Sequence, residues 1–309
     1  MIYKFFRFGF FCSCLFIFFS FCISSDAVEF TNAVTLGSGD TTYDHANVVA
    51  NGCVLTIEGN HSFGDLTVTN AGTVVFNGTN LNLTGLQLQN SEFQMAGGAT
   101  VDVVNAVSLQ SSSTLLVQSV HTDAQVSNQW KGVGGTIHAG TVSVEVGSAI
   151  SADAQGYAGG SGDNDPGKGP GVGRPREGSS YGAGGGGYGG AGGSYLAYVG
   201  GSAYGSSTGP LGPGSGGASD RSSNYQGGRG GGSIRLSVDG TLTLDGLISA
   251  DGESRSSYYE GGGSGGAIWV TAGTLAGQGA FLARGGAASG SYTTAGGGGR
   301  IAVYYEADE

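Results

Sequence analysis

Ten tyrosines stand among glycine and serine between residues 157 and 292: Tyr157, Tyr181, Tyr188, Tyr195, Tyr198, Tyr204, Tyr225, Tyr258, Tyr259 and Tyr292. A tyrosine ring gives a large, rigid, amphipathic contact at low entropic cost, and glycine and serine let the backbone adapt around a partner. Tyr181, Tyr188, Tyr195, Tyr198 and Tyr204 crowd one glycine-rich stretch and are the candidate binding residues. The competing expectation is that these rings pack down on glycine backbone and hold the loops in place.

Other reactive residue types do not assemble into a recognised site. His45, His61, His121 and His138 are scattered, with no H-x-x-x-H pair or cysteine partner for a metal. "GDNDPGKG" (162–169) imitates a phosphate loop through Gly162, Gly167 and Lys168 but lacks the Ser/Thr after the lysine and the strand before it. Asp163 and Asp165 are calcium candidates, against a plain Asx turn, because "GGSGDNDPG" approximates a calcium-binding nonapeptide without repeating it. Asp153 and Asp251 fall at equivalent points of a repeat, which marks them as strand-end residues before it marks them as catalysts. No cofactor is expected.

The elements that must carry these residues are repeats. Leu66/Val68, Leu86/Leu88 and Val107/Leu109 recur at steps of 20 and 21, and Val74/Phe76, Phe93/Met95 and Leu115/Val117 at steps of 19 and 22. Each pair has the i, i+2 spacing of a strand burying one face, and Asn, Gly and Ser between pairs suit turns with positive φ. Two strands and two turns about every twenty residues predict an all-β, single-stranded parallel β-helix (β-solenoid), with Leu66, Leu86 and Val107 in one column and Val74, Phe93 and Leu115 in another. A β-sandwich is the alternative, but it has no reason to keep that period.

Beyond residue 142 the period lengthens. "VEVGSAISADAQG" (144–156) returns as "LTLDGLISADGE" (242–253) and "LAGQGAFLARGG" (275–286), and Ile234, Ile268 and Ile301 are 34 and 33 apart. Glycine-rich loops at 156–232, 252–266 and 285–299 leave the repeat at one point and are expected to emerge on one face. Residues 156–300 hold 49 of the 65 glycines, yet glycine is not every third residue, which excludes collagen. Within the first loop "GAGGGGYGGAGGSYLAYVGG" (182–201) is expected to be ordered, with Leu196 and Val199 gripping the flank, and "NDPGKGPGVGRPREGSS" (164–180) to be mobile.

The expected organisation is a signal peptide at 1–27, a cap and rungs at 28–155, the loop 156–232 and glycine-rich rungs at 233–309. Lys4 and Arg7 precede the apolar run "FGFFCSCLFIFFSFCIS", and Ser25 and Ala27 supply small residues at a cleavage site; an uncleaved anchor is the alternative. Cleavage would remove Cys12, Cys14 and Cys22, leaving Cys53 as a buried strand residue with no disulfide partner. The remainder carries 10 Lys+Arg against 22 Asp+Glu, once Lys4, Arg7 and Asp26 are set aside from the 12 and 23 of the whole chain. A charge near −12 argues against nucleic acid and against an anionic membrane surface as partners. Asn60, Asn77 and Asn82 head N-x-S/T sequons, which chance explains equally well in so Asn- and Thr-rich a chain.

The run "GGYGGAGGSY…GSAYGSSTGPLGPGSGG…GGRGGGSIRLSVDGTLTLDGLISADG…GGGSGGAIWV…GGGGRIAVYY" resembles a glycine-rich repeat module of large exported and surface proteins, of parallel β-helix, adhesin-like type. It also resembles the glycine-rich extracellular region of certain receptor kinases, where polyglycine strands pack together. The first resemblance implies an exported β-helix without established chemistry, and surface glycans or extracellular proteins as partners. A secreted or cell-surface, non-catalytic structural or adhesive protein is therefore expected, with a carbohydrate-binding or carbohydrate-active lyase- or hydrolase-like β-helix as the alternative.

Overall fold

The computed structural model describes residues 27–175, 181–195, 199–221 and 224–308. The expected signal segment, apart from Ala27, lies outside the described residues, as do Leu196 and Tyr198. Nineteen strands and no helix occur among the described residues. The first ten are β1 (Val28–Phe30), β2 (Val34–Leu36), β3 (Val48–Asn51), β4 (Val54–Ile57), β5 (His61–Thr69), β6 (Thr73–Phe76), β7 (Asn80–Gln89), β8 (Glu92–Met95), β9 (Thr100–Gln110) and β10 (Thr114–Val117). The rest are β11 (Val120–His121), β12 (Gly132–Val133), β13 (Gly135–Val144), β14 (Ala149–Ser151), β15 (Ser233–Leu244), β16 (Leu247–Ser249), β17 (Ala267–Ala276), β18 (Ala280–Leu282) and β19 (Arg300–Asp308).

The chain alternates between two sheets. One runs β1-β3-β5-β7-β9-β13-β15-β17-β19 and the other β18-β16-β14-β10-β8-β6-β4-β2, with every pairing parallel. The register is the one the apolar periods predict: Leu66 pairs with Leu86 and Leu86 with Val107, while Val74 pairs with Phe93 and Phe93 with Leu115. All six are buried in one hydrophobic cluster that draws side chains from both sheets. Ile234, Ile268 and Ile301 pair in turn across β15, β17 and β19.

The register slips partway along the pairings of β7 with β9, β9 with β13, β13 with β15 and β15 with β17, and on β7 the buried residues fall into two pairs on either side of the slip, Leu81/Leu83 and Leu86/Leu88. The corner that follows takes left-handed backbone at Asn70, Ala71, Asn90, Ser111 and Ser112, and asparagine tolerates that region because its short side chain bonds locally. Side chains also pass hydrogen bonds from turn to turn: Asn70 Nδ2 donates to Asn51 Oδ1 (2.7 Å), and the Ser113 amide to Ser148 Oγ (3.1 Å). Cys53 is buried as expected, but in the turn entering β4, where its Sγ donates to the Phe30 carbonyl (3.2 Å).

The sequence periods miss one insertion. Between β10 and β13 the chain makes an antiparallel ribbon of β11 and β12, Val120 opposite Val133. Three further excursions follow β14, β16 and β18, leaving from the same sheet as the ribbon; the first, between β14 and β15, is by far the longest.

Candidate functional site

These three excursions carry the loop tyrosines, and they form one hydrogen-bonded body. Gly186 donates to the Gly262 carbonyl (2.9 Å), Gly297 to Gly186 (2.8 Å), Gly265 to Gly297 (2.9 Å) and Gly193 to Ala295 (2.8 Å), so every loop is tied to the other two. Amides three residues apart seek the same neighbour: Gly184 and Gly187 donate to Arg174 and Gly171, and Gly185 and Tyr188 to Gly193 and Gly190. That rhythm suits extended backbone whose amides find most of their partners in neighbouring segments rather than in a helix of their own.

Glycine is needed here for room, not for unusual backbone. None of the glycines at 182–193, 214–217, 261–266 or 296–299 has left-handed φ. Yet a β-carbon on Gly186, Gly217, Gly263, Gly266 or Gly296 would lie on a carbonyl oxygen of a neighbouring segment, at a separation that no carbon–oxygen pair tolerates. Residues 167–174, expected to be mobile, are bound in as well: Lys168 donates to Ala158, Gly173 to Gly216 and Arg174 to Val199.

The bundle sorts the tyrosines into two populations. Tyr188 is wholly buried, edge-on to Tyr204 with ring centroids 4.7 Å apart. The Tyr204 hydroxyl donates to the Pro213 carbonyl (2.6 Å) and accepts from Ser215 Oγ (3.0 Å). Burial pushes the Tyr188 hydroxyl pKa up to about 12 and raises that of Tyr204 further. Tyr157 is likewise buried and pushed up to about 12, its ring 5.0 Å from His121 and 5.6 Å from Trp130. These rings pin the base of the bundle. Of the candidate binding tyrosines, then, Tyr188 is buried, Tyr204 is half-buried with its hydroxyl bonded inward, Tyr181 and Tyr195 are exposed, and Tyr198 is among the residues not described. Val199, expected to grip the flank, is more than half exposed.

The second population gathers at the far tips of all three loops. Tyr259 is its centre. It stacks on Tyr292 (5.5 Å, 8° between planes) and meets Tyr181 (5.7 Å) and Tyr225 (5.5 Å) edge-on, with Tyr258 tilted beside it (6.1 Å). The Arg221 guanidinium lies 5.0 Å from the Tyr259 ring centroid and 5.2 Å from that of Tyr181, and its Nη1 donates to the Tyr259 hydroxyl (2.8 Å). Tyr181, Tyr258 and Tyr292 are about half exposed around this nearly closed centre.

Two buried carboxylates build the turns beneath. Asp220 accepts from the Gly182 and Arg221 amides (both 2.7 Å), and Glu260 Oε1 from the Gln226 amide (2.9 Å). The Asp220 amide itself donates to the Tyr259 carbonyl (3.1 Å), joining the first loop's tip to the second's. Arg221, Tyr259 and Tyr292 hold φ of 80°, 61° and 63°. Such backbone costs a non-glycine residue about 1–2 kcal/mol. A scaffold that imposes it on three side chains of one cluster is holding those side chains in place.

Tyr225, Tyr259 and Tyr292 were not singled out from the sequence, although a signal for them exists. Their steps of 34 and 33 match those of Ile234, Ile268 and Ile301, so the rings occupy one position of the repeat. Arg221 has no such period to reveal it.

The remaining candidates have other employment. Asp165 accepts from the Ser161 amide (2.7 Å) and pairs with Lys168 (3.7 Å), while Asp163 is exposed. Asp153 accepts from the Asp251 amide (2.6 Å) and Ser249 Oγ (2.9 Å). Asp251 in turn accepts from the Arg284 amide (2.6 Å) and guanidinium. Among the described residues no group of three or more His, Cys, Asp or Glu is placed to hold a metal ion. Comparison with protein-family models, with curated proteins and with solved structures finds no match to this chain.

Proposed function

We propose that this is an exported, non-catalytic surface protein, wound as a β-solenoid, that presents the loop-tip tyrosine cluster as an adhesive surface. One observation carries the reading: all three loops send aromatic rings to one exposed point around Arg221, on backbone strained to keep them there. Two-sheet alternation with parallel pairing at every step supports the solenoid, since each pair of strands stacks on the one before it. Surface glycans and extracellular proteins are the partner classes that the leader-like N-terminus and the tyrosine patch suit. Export rests on Lys4, Arg7 and the apolar run after them.

A non-catalytic role agrees with the use made of the acids at repeat ends. Asp153 and Asp251 spend their oxygens on the next turn's backbone, which leaves them poorly placed as acid or base. One observation favours a carbohydrate-active alternative: Asp102 and His138 pair in register on adjacent strands and are partly exposed, with Arg235 over the Trp269 ring (4.6 Å) on the neighbouring strands.

Screening residues 28–309 on a glycan array, beside the Tyr258→Ala/Tyr292→Ala double variant, tests the proposal. Binding that the double variant loses, with its melting temperature kept, is the expected result. Turnover of a polysaccharide by the wild type, abolished in His138→Ala, would favour the alternative.

A further inference from the structure

The loop-tip cluster contains more than ring faces, and its charges are distributed unevenly. Arg221 is exposed and makes no ion pair with a described carboxylate. Its guanidinium carries five N–H donors, and one nitrogen is spent on the Tyr259 hydroxyl. The two nearby acids form no ion pair with it: Asp220 and Glu260 are turned inward onto the Gly182, Arg221 and Gln226 amides. The guanidinium is also held still, between the Tyr181 and Tyr259 rings and on backbone with φ of 80°. A rigid planar fork with free donors, set among aromatic faces, matches a carboxylate more closely than any neutral group does.

We propose that the loop-tip cluster recognises a saccharide bearing a single carboxylate, with Arg221 taking the carboxylate and Tyr181, Tyr258 and Tyr292 the ring faces. This rests on reading the tip as a binding surface. A single carboxylate is specified because the chain's net charge is −11. A polyanion would meet repulsion from the rest of the molecule that one guanidinium does not offset, whereas a lone terminal acid feels mainly its local partner. A sugar is favoured over a peptide because the main-chain donors beside Arg221 are turned inward. The amides of Gly182, Asp220, Arg221 and Gln226 all bond inward. An extended peptide would find no strand edge to pair with, while the C–H face of a pyranose needs only the exposed tyrosine rings.

The discriminating probes are a glucuronate-terminated disaccharide and its glucose-terminated counterpart, which differ in one carboxylate. Isothermal titration of residues 28–309 is expected to give about tenfold tighter binding of the acid at low salt, the margin shrinking as salt is raised. Arg221→Gln should abolish that margin, so that acid and neutral sugar bind the variant with equal affinity. Arg221→Lys should keep part of it, which preserves the test if the glutamine variant fails to fold. Tyr258→Ala/Tyr292→Ala should weaken both sugars. Equal affinities in the wild type, or a margin that survives Arg221→Gln, overturn the carboxylate assignment while leaving the tip as a surface for neutral glycans. Sugar binding indifferent to the tyrosine pair overturns the tip reading itself. Failure of both disaccharides to bind, with capture of an acidic peptide lost in Tyr258→Ala/Tyr292→Ala, overturns the saccharide in favour of a protein partner; failure of both without such capture also overturns it.

Discussion

The two halves of this molecule solve the problem of an interior by opposite means. In the stack of strand pairs, side chains fill the space: Leu55, Leu66, Val74, Phe76, Leu86 and Phe93 are fully or almost fully buried. In the glycine bundle few large apolar side chains are inside, and much of the packing is backbone on backbone, satisfied by hydrogen bonds between segments far apart in sequence. The first half gains from the hydrophobic effect and tolerates any set of shapes that conserves volume. The second gains little apolar burial and pays the highest backbone entropy of any residue. It holds because each loop is anchored at both ends by paired strands and stapled by a few rings, notably Tyr157, Tyr188 and Tyr204. The difference teaches that glycine content alone does not separate a linker from a folded body. What separates them is whether amides find partners outside their own segment.

Substitutions that add the same kind of insult to each half would break or sharpen this contrast. The largest effect is expected from Leu86→Asp, which buries an unpaired charge at a site 2 % exposed, between Leu66 and Val107. A loss of about 4 kcal/mol or more in urea unfolding is expected. A loss below about 1 kcal/mol would mean that the columns are not a packed core. In the bundle the sensitive change is a single methyl group. Gly297→Ala sets a β-carbon on the Gly190 carbonyl and should cost about 2–3 kcal/mol. Its neighbour Gly298 is exposed, lacks left-handed φ, and has nothing nearer its β-carbon position than the Ala283 carbonyl at 4.0 Å. Gly298→Ala should therefore be neutral or stabilise by up to about 1 kcal/mol, because it restricts the unfolded chain. Equal responses at 297 and 298 would show that these loops are not packed backbone to backbone.

The same contrast explains what could be read from the sequence. The columns of the stack were legible because period-two apolar pairs and a twenty-residue step leave one register that buries them all, as Leu66, Leu86 and Val107 show. Ile234, Ile268 and Ile301 were legible as partners in register even at a longer step, although Ile301, on the edge strand β19, is exposed. The bundle was legible only as a place. Glycine carries no side chain to encode a partner, so nothing in "GAGGGGYGG" says that Gly186 will meet Gly262 and Gly297. Ranking tyrosines by crowding therefore mixed Tyr188 and Tyr204, which staple the interior, with Tyr181, which faces out. Tyr225, Tyr259 and Tyr292 could have been found by their repeat position. Arg221 could not, because its role depends on where three separate turns come together.

The smallest expected effect belongs to the junction between the halves, and its sign is fixed. His121 lies in the ribbon that leaves the stack, and its ring sits against Tyr157, the first tyrosine of the bundle. Burial lowers its pKa below the ordinary 6.5, with Arg229 acting in the same direction and Asp123 and the Gly156 and Thr122 backbone opposing. The unfolded chain thus takes up a proton at a higher pH than the folded one. Stability from this group is fully present above pH 6.5 and is lost as pH falls from there through the lower folded value. His121→Phe keeps a ring against Tyr157 and removes the titration. The difference between wild-type and variant unfolding free energies should therefore be flat from pH 7 to 8 and decline for the wild type as pH falls below about 6.5. A flat difference would place the imidazole in solvent, and a wild-type profile that rises on acidification relative to the variant would mean that the pairing with Asp123 (4.0 Å) outweighs burial. The ring contact with Tyr157 could then not be what couples the ribbon to the bundle.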